Sequence, residues 1–399
     1  MGHPGLLILL AATLFLSGCT HLDEETPISP APVGQRPADF GLGPGVRPLS
    51  SGPGDKGSPS WSPSGERIAF VVDGYVVEKQ IDAREGRRQT TRDFGAHRVA
   101  WMDSEERLMI LAGEAPADLE AASESGSPPL YTAYRTAPDD SLSVDKVVTK
   151  VSAGSAIPGG EDLLVAMRAG SSSQLAIVRG EEVQPYGGPI EGDVTALSVV
   201  PDGSQAILVV RNSGPREIFE VFSYTFSENR LQRLASLREN LEIFGAPQWT
   251  TNGIYYVAGK EAQSNTPATY SLYRLAPGSN RPERAPGTGE DFVASSLRRD
   301  PEGERLAVIG RRNPSSPVNL YILRPGVGNL VAVTSNENME VKTKTEDLAW
   351  SDDGERVAIV ARTMLSEPRV YDVPASALVS DFYNIYEVPI REVTEEGPA

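Results

Sequence analysis

The stretch WSPSGERIAFVV, from Trp61 to Val72, decides the fold because the same phrase returns along the chain. It is clearest again as WSDDGERVAIV, from Trp350 to Val360. Five weaker copies begin at Trp101, Ile157, Val199, Trp249 and Arg299. The glycine of the phrase, or its counterpart, falls at positions 65, 105, 160, 203, 253, 303 and 354, in steps of 40 to 55 residues. Such steps are typical of one four-stranded blade per repeat, so the sequence predicts an all-β fold, a single β-propeller of seven four-stranded blades.

The chemistry of the phrase predicts a strand, a tight turn and a second strand. All four tryptophans of the chain open a copy, so we expect them to be packing residues that end the first strand. Pro presets φ in the turn, and Gly accepts the positive φ that closes it. The apolar run that follows, such as IAFVV (Ile68 to Val72), is typical of a strand buried on both faces between neighbouring blades. A third strand such as NLYILRP (Asn319 to Pro325) and an outer strand such as LQRLAS (Leu231 to Ser236) would complete each blade.

The closing strand of the ring has two candidates. VRPLSS (Val46 to Ser51) precedes the first phrase, and IREVTE (Ile390 to Glu395) follows the last, so one of them is surplus. If the early segment completes the final blade, the two ends of the chain are fastened together and no open sheet edge remains. The predicted propeller therefore spans residues 46–395, with its closure left open between these segments.

The amino-terminal residues carry a second signal. Gly5 to Gly18 is apolar or small throughout, too short to span a bilayer but suited to a signal-peptide core. It ends in LSGC, directly at Cys19, the one cysteine of the chain. This resembles the lipobox of bacterial lipoproteins, which implies a signal peptide over residues 1–18, cleavage between Gly18 and Cys19, and a lipid such as palmitate on Cys19. The alternative is an ordinary secretory signal with an incidental cysteine.

The composition of the chain predicts a flexible segment before the propeller and limits which partners the protein can bind. Residues 19–45 are rich in Pro, Gly and acidic groups and cannot pack a core, so they read as a disordered, flexible tether. The formal net charge of −17 is unfavourable for nucleic acid. We therefore expect an extracytoplasmic protein of the cell envelope, periplasmic or at the cell surface, held to the membrane through Cys19. Its expected partner is another envelope protein, with no nucleic acid.

Catalytic and metal-binding patterns are scarce. Of three histidines only His97 lies in the predicted propeller, at the start of an inner strand, and one histidine cannot make a multi-histidine metal site. The sequence has no G-x-S-x-G elbow and no phosphate-binding loop. Asp202, Asp352 and Asp353 stand where the turn favours Asp for backbone reasons. The sequence therefore predicts no catalytic residue, metal or cofactor.

Two long loops distinguish blades two and seven from the rest. Residues 113–129 and 363–381 each follow the buried second strand, so both should leave the same face of the ring, on either side of blade one. They suggest a composite partner surface formed by Glu114, Asp118, Glu120, Glu124, Met364, Leu365, Tyr371 and Phe382. The alternative is a pair of tolerated surface insertions.

The repeat resembles that of the TolB-like, WD-like-repeat propellers, whose W-S-P-D-G and apolar strand correspond to WSPSGERIAF and WSDDGERVAIV. The resemblance covers the predicted propeller and implies its fold, but the same repeat serves envelope scaffolds, lipoproteins and the propellers of some peptidases. TolB resembles a two-domain protein with an α/β domain before its propeller, where this chain has only a tether. The transport role of TolB is therefore not carried over.

Three functions remain open at this point. The first is a non-enzymatic, lipid-anchored scaffold that binds a protein or envelope component. The second is an enzyme that processes a carbohydrate or peptide with carboxylates in the central channel. The third is a sensor that binds a small ligand in that channel. The inner strands carry only scattered polar groups, which favours the first.

Overall fold

A computed structural model describes residues 45–83, 85–91, 94–102, 107–113, 129–136, 143–160, 162–180, 182–213, 217–237, 241–260, 269–335, 339–363 and 382–390. These residues form 28 β-strands and one short 3-10 helix, η1 (Thr345–Asp347). All strand pairs are antiparallel. Among the described residues, no helix has the length and apolar character needed to cross a membrane.

The strands form seven blades, one for each copy of the phrase, which confirms the predicted propeller. Blade 1 contains β2 (Lys56–Trp61), β3 (Arg67–Val72), β4 (Tyr75–Gln80) and β5 (Arg87–Arg88). Blade 2 contains β6 (Ala96–Trp101), β7 (Leu108–Gly113), β8 (Tyr131–Thr136) and the first part of β9 (Val144–Ala156). Blade 3 contains the second part of β9 with β10 (Leu163–Ala169), β11 (Ser172–Arg179) and β12 (Glu182–Glu191). Blade 4 contains β13 (Asp193–Val199), β14 (Gln205–Ser213), β15 (Glu217–Thr225) and β16 (Arg230–Ser236).

The remaining three blades follow the same order. Blade 5 contains β17 (Glu242–Thr250), β18 (Gly253–Lys260), β19 (Thr269–Leu275) and β20 (Glu283–Arg284). Blade 6 contains β21 (Val293–Arg299), β22 (Leu306–Arg311), β23 (Asn319–Arg324) and β24 (Asn329–Ala332). Blade 7 contains β25 (Met339–Val341), β26 (Leu348–Trp350), β27 (Arg356–Thr363), β28 (Asn384–Pro389) and β1 (Arg47–Pro48).

The hydrophobic core is divided among the blade interfaces. The described residues form seven buried clusters, each shared by two neighbouring blades. In β3, Ile68, Phe70 and Val72 pack against blade 7, while Ala69 and Val71 pack against blade 2. The apolar run of the phrase is therefore buried on both faces, as its composition predicts.

The early segment completes the final blade. Arg47 and Pro48 of β1 pair with Glu387 and Tyr386 of β28. The backbone amide of Leu49 continues the pairing by donating to the carbonyl of Ile385 at 2.8 Å. Of the two closure candidates, VRPLSS therefore fills the outer position of blade 7. The other candidate lies outside the described residues beyond Ile390.

Neighbouring blades are also joined by stacking of arginine on tryptophan. The guanidinium carbon lies 4.6 to 5.1 Å from the centre of the indole ring in the pairs Arg67–Trp101, Arg305–Trp350 and Arg356–Trp61. In each pair the arginine comes from the blade that precedes the tryptophan. The phrase therefore supplies both partners, its Trp to the preceding blade and its Arg to the following one.

Candidate functional site: the central channel

The first strand of every blade lines the central channel, and each is irregular. In blades 1 to 6 the pairing of the first strand with the second shifts where the first strand holds extra residues. In blade 7 the first strand is broken into β25 and β26, with η1 between them. The residues left out of the pairing are Ser58, Pro59, His97, Ser152, Thr195, 245–247, Ser295 and 342–347.

These irregularities open a cavity near the start of the first strands, which we call the upper chamber. Its volume is about 210 Å³. The unpaired residues that line it are His97, Ser152, Thr195, Gly245, Ala246 and Glu346. Because a residue outside the ladder is free to turn toward the channel, the bulges determine which side chains reach this chamber.

A second cavity, the lower chamber, lies toward the ends of the first strands and has a volume of about 370 Å³. Arg298 and Arg299 of blade 6 line it, and two of the phrase tryptophans, Trp61 and Trp350, contribute part of its wall. Three residues line both chambers and so stand where the two meet: Arg98, Leu197 and Glu346.

Several serine side chains of the first strands form hydrogen bonds to the neighbouring blade. Ser58 Oγ accepts from the backbone amide of Val99 at 3.1 Å, and Ser60 Oγ accepts from that of Trp101 at 3.0 Å. Ser152 Oγ donates to the carbonyl of Val194 at 2.7 Å in the same way. These hydrogen bonds join neighbouring blades and so stabilise the ring.

The arginines of the channel use few of their hydrogen-bond donors within the described part of the protein. Arg98 has no hydrogen-bond or ion-pair partner for its guanidinium within the part of the chain that the structure describes. Arg298 donates from Nε to the carbonyl of Leu348 at 3.4 Å, and Arg299 donates from Nη2 to that of Val199 at 3.2 Å. All three side chains lie inside the channel and keep part of their surface open to it.

Burial and the neighbouring positive charge both oppose the charged form of Arg298. Burial, and then the neighbouring Arg98 guanidinium, lower the pKa of Arg298 to about 9, while the carboxylate of Glu346 opposes the shift. Burial also lowers the pKa of Arg98. A guanidinium is charged at neutral pH in proteins, so the channel holds neighbouring positive charges that the fold does not neutralise by direct pairing.

The acids of the lower chamber leave this positive charge in place. Asp300 is fully buried and is paired with Arg305, Nε to Oδ2, at 2.8 Å. Asp352 lies exposed on the turn after β26, at the edge of the chamber. Glu346 is the one carboxylate that lines both chambers.

His97 lies in β6, as expected, and faces the upper chamber. Its ring centre is 5.5 Å from that of Tyr131. Partial desolvation, and then the positive charge of Lys344, lower the pKa of His97, so the imidazole is neutral at pH 7. Within the described residues, no group of three or more His, Cys, Asp or Glu side chains comes together as a metal site would require.

The turn acids occupy the backbone positions predicted for them. Asp202 Oδ1 accepts from the backbone amide of Ser204 at 2.9 Å. Asp353 Oδ1 accepts from that of Glu355 at 2.9 Å, and its Oδ2 pairs with Arg356 at 3.0 Å. These carboxylates close the turns of the phrase and do not gather at one site.

The predicted lipidation site and most of the predicted partner surface lie outside the described residues. They are Gly18, Cys19, Glu114, Asp118, Glu120, Glu124, Met364, Leu365 and Tyr371. Phe382 is described and is 39% exposed, with its ring centre 5.9 Å from Nζ of Lys56. The two loops connect β7 with β8 and β27 with β28, the second with the third strand of each blade, as predicted.

The channel arginines were not among the residues singled out from the sequence. The sequence does show these arginines on first strands: Arg98 lies in HRVAW, and two arginines precede the turn of blade 6 in SSLRRD. To predict that these arginines meet in the channel, one must know which side of each bulged strand faces it. A one-residue bulge reverses that side, and a short apolar pattern does not show the bulge.

Neither a protein-family model nor a curated protein matches this chain. Among solved structures, oligogalacturonate lyase from Vibrio parahaemolyticus is similar, with a TM-score of 0.54 and 10% identity over 87% of this chain and 94% of that chain. The β-propeller domain of the Trilobed protease from Pyrococcus furiosus has a TM-score of 0.51 and 10% identity over 86% of this chain and 99% of that chain. TolB from Acinetobacter baumannii covers 86% of this chain and 64% of its own at 11% identity, with a TM-score of 0.39.

At these identities the similarity shows the fold alone, and the chain is a β-propeller protein. The Trilobed protease propeller is described as having an open velcro topology. Here, in contrast, β1 joins β28 and closes the ring.

Proposed function

We propose that this protein is a lipid-anchored, extracytoplasmic β-propeller that acts by binding rather than catalysis, and that its ligand presents an anionic group to the central channel. The observation that carries the proposal is the group of three arginines, Arg98, Arg298 and Arg299, around one cavity. Of the functions considered from the sequence, this supports ligand binding in the channel.

The arginines of the channel keep guanidinium N–H donors that the described residues of the protein do not use. A guanidinium has five N–H donors arranged to match a carboxylate or phosphate. Arg98 uses none of them within the described residues, and Arg298 makes one bond of 3.4 Å. An anion between these groups would relieve their repulsion and gain charge-assisted hydrogen bonds, which are about twice as strong as neutral ones.

The negative charge of the whole chain should restrict anion binding to the channel. A net charge of −17 disfavours anions over the protein as a whole. Within this acidic protein, Arg98, Arg298 and Arg299 place positive charge around one cavity. We therefore expect an anion to bind here and weakly elsewhere.

The experiment uses citrate as a probe and follows the thermal unfolding midpoint at constant ionic strength, with chloride as the balancing anion. A ligand that binds only the folded state stabilises it by about 2.7 kcal/mol at a hundred times its Kd. We expect wild-type protein to be stabilised saturably, and the double variant Arg98→Met with Arg298→Met to lose the effect. The matched control removes two exposed arginines instead, Arg281→Met with Arg312→Met. Equal stabilisation of both double variants would contradict the proposal.

Membrane attachment is tested separately. If Cys19 carries a lipid, Cys19→Ser should move the exported protein from the membrane fraction to the soluble fraction. An unchanged distribution would leave an ordinary secretory signal as the better interpretation. The proposed envelope-protein partner at the two long loops is likewise independent of the channel, and deletion of residues 114–128 should then reduce its capture without changing citrate binding.

A further inference from the structure

Glu346 is the one carboxylate that lines both chambers, and its position next to the arginines constrains what the channel accepts. It belongs to η1, the segment that interrupts the first strand of blade 7. It lies at the junction of the chambers together with Arg98 and Leu197. A ligand in either chamber therefore lies in a cavity that Glu346 lines.

Glu346 does not form an ion pair with the arginines beside it. Its negative charge acts to raise the pKa of both Arg98 and Arg298, against the effect of burial. Yet in the described part of the chain no nitrogen of either arginine lies within 4 Å of a Glu346 oxygen, and Glu346 accepts no side-chain hydrogen bond. A partly buried carboxylate in this state keeps its acceptor capacity for a group that enters the channel.

We infer that the ligand is a small zwitterion, an α-amino acid or a short peptide, with its carboxylate on Arg98 and Arg298 and its ammonium on Glu346. This rests on the proposed function and narrows the ligand of the same site. A purely anionic ligand would bring its charge against the carboxylate of Glu346, whereas an ammonium group would turn that repulsion into a charge-assisted hydrogen bond.

The size of the cavities agrees with a small ligand. Pockets for drug-sized molecules occupy roughly 300–1,000 Å³. The upper chamber, at about 210 Å³, is below that range, and the lower chamber, at about 370 Å³, is near its lower end. A folded partner does not fit inside, but one or two amino-acid units do.

The test compares amino acids with the same molecules lacking the amino group. The probes are L-phenylalanine with 3-phenylpropanoate, L-leucine with 4-methylpentanoate, and L-glutamate with glutarate, titrated into the mature protein by calorimetry. In at least one pair we expect the amino acid to bind about tenfold more tightly than its deaminated counterpart, because the counterpart cannot form the charge-assisted hydrogen bond to Glu346. Glu346→Gln should abolish this preference. The matched control Glu355→Gln changes an exposed carboxylate of the same blade and should retain it.

The outcomes separate this inference from the function on which it rests. If every deaminated acid binds as tightly as its amino acid, or if Glu346→Gln keeps the preference, the zwitterion is excluded. If none of the six probes binds while citrate still stabilises the protein through the two arginines, the inference fails and the anion site stands. If citrate stabilisation is also independent of the arginines, both fail.

Discussion

At the scale of single residues, three of the phrase tryptophans each receive an arginine from the blade before them. Arg305 of blade 6 places its guanidinium 5.1 Å from the ring centre of Trp350 and donates to the carbonyl of Gly354 at 2.8 Å. Gly354 has a φ of +66°, and a Cβ there would lie 2.7 Å from Arg305 Nη2. The glycine therefore serves the turn and also makes room for the neighbouring arginine.

The energetic weight of this arginine depends on the acid that it neutralises. We expect Arg305→Ala to lower the free energy of unfolding by about 3 kcal/mol, because it leaves the carboxylate of Asp300 buried without its partner. Arg356→Ala is the matched control, since it removes the same stacking on Trp61 but leaves Asp353, whose side chain is 45% exposed. There the loss should be about 1 kcal/mol. Urea unfolding measures both variants, and equal losses would contradict this explanation.

What the sequence reveals at this scale depends on whether a residue's partner is inside its own repeat. The tryptophans were predicted to pack, and they are 6 to 8% exposed at positions 61, 101 and 350. In two pairs the arginine lies in the preceding copy, 34 residues before Trp101 and 45 residues before Trp350, and in the third pair Arg356 of the last copy stacks on Trp61 of the first. The arginine was visible in both clear copies of the phrase, but its role depends on the sequential order of blades around a ring.

At the scale of elements, η1 holds the junction between blades 7 and 1. Asp347 is 4% exposed, and its Oδ1 accepts from the backbone amide of Ser58 at 2.9 Å. Ser58 has a φ of +50°, in the left-handed region that non-glycine residues seldom occupy. The buried carboxylate thus holds a strained residue of β2 in place.

This carboxylate makes the stability of the protein depend on pH. Burial raises the pKa of Asp347 from 3.8 to about 6, against the opposing effects of the Ser58 amide and Lys342. Because the folded-state pKa is the higher one, this contribution to stability is fully present below about pH 4 and is lost as the pH rises through 6.

We therefore predict a different pH dependence in Asp347→Asn, which keeps an oxygen acceptor for Ser58 but does not titrate. Between pH 4.5 and 7.5 the free energy of unfolding of wild-type protein should fall by about 2 kcal/mol relative to that of the variant. Denaturant titrations at a series of pH values measure the difference. A constant difference between the two proteins across this range would show that Asp347 does not titrate as described.

Elements were predicted well where the apolar run sets them and poorly where the ladder is irregular. The run from Leu306 to Gly310 is β22 within one residue. The outer strand of blade 2 includes Asp145 to Lys150, as the blade pattern predicts, but it does not end there: β9 continues into blade 3 past Lys150, which has a φ of +59°. No glycine or proline marks that passage, so the sequence offered no reason to divide or to join the two strands.

At the scale of the whole molecule, closure depends on a very short strand. Pro48 ends β1 and cannot donate a ladder hydrogen bond, but Arg47 forms two bonds of 3.2 Å with Glu387, which is 7% exposed. Leu49, 2% exposed, joins the cluster between blades 7 and 1. The sequence fixes neither terminal segment as the closing one, because VRPLSS and IREVTE carry similar alternating patterns.

Two versions of the mature chain that differ only in β1 test whether this closure stabilises the ring. A chain starting at Gly45 keeps β1, and we expect it to unfold in urea as the full mature protein does. A chain starting at Ser51 loses the buried side chain of Leu49 and leaves the carboxylate of Glu387 without Arg47. We expect it to lose about 4 kcal/mol or more of stability. Its exposed β28 edge should also favour self-association, visible as larger species by size-exclusion chromatography. If the two chains unfold at the same urea concentration and both remain monomeric, the seven blade interfaces close the ring without β1.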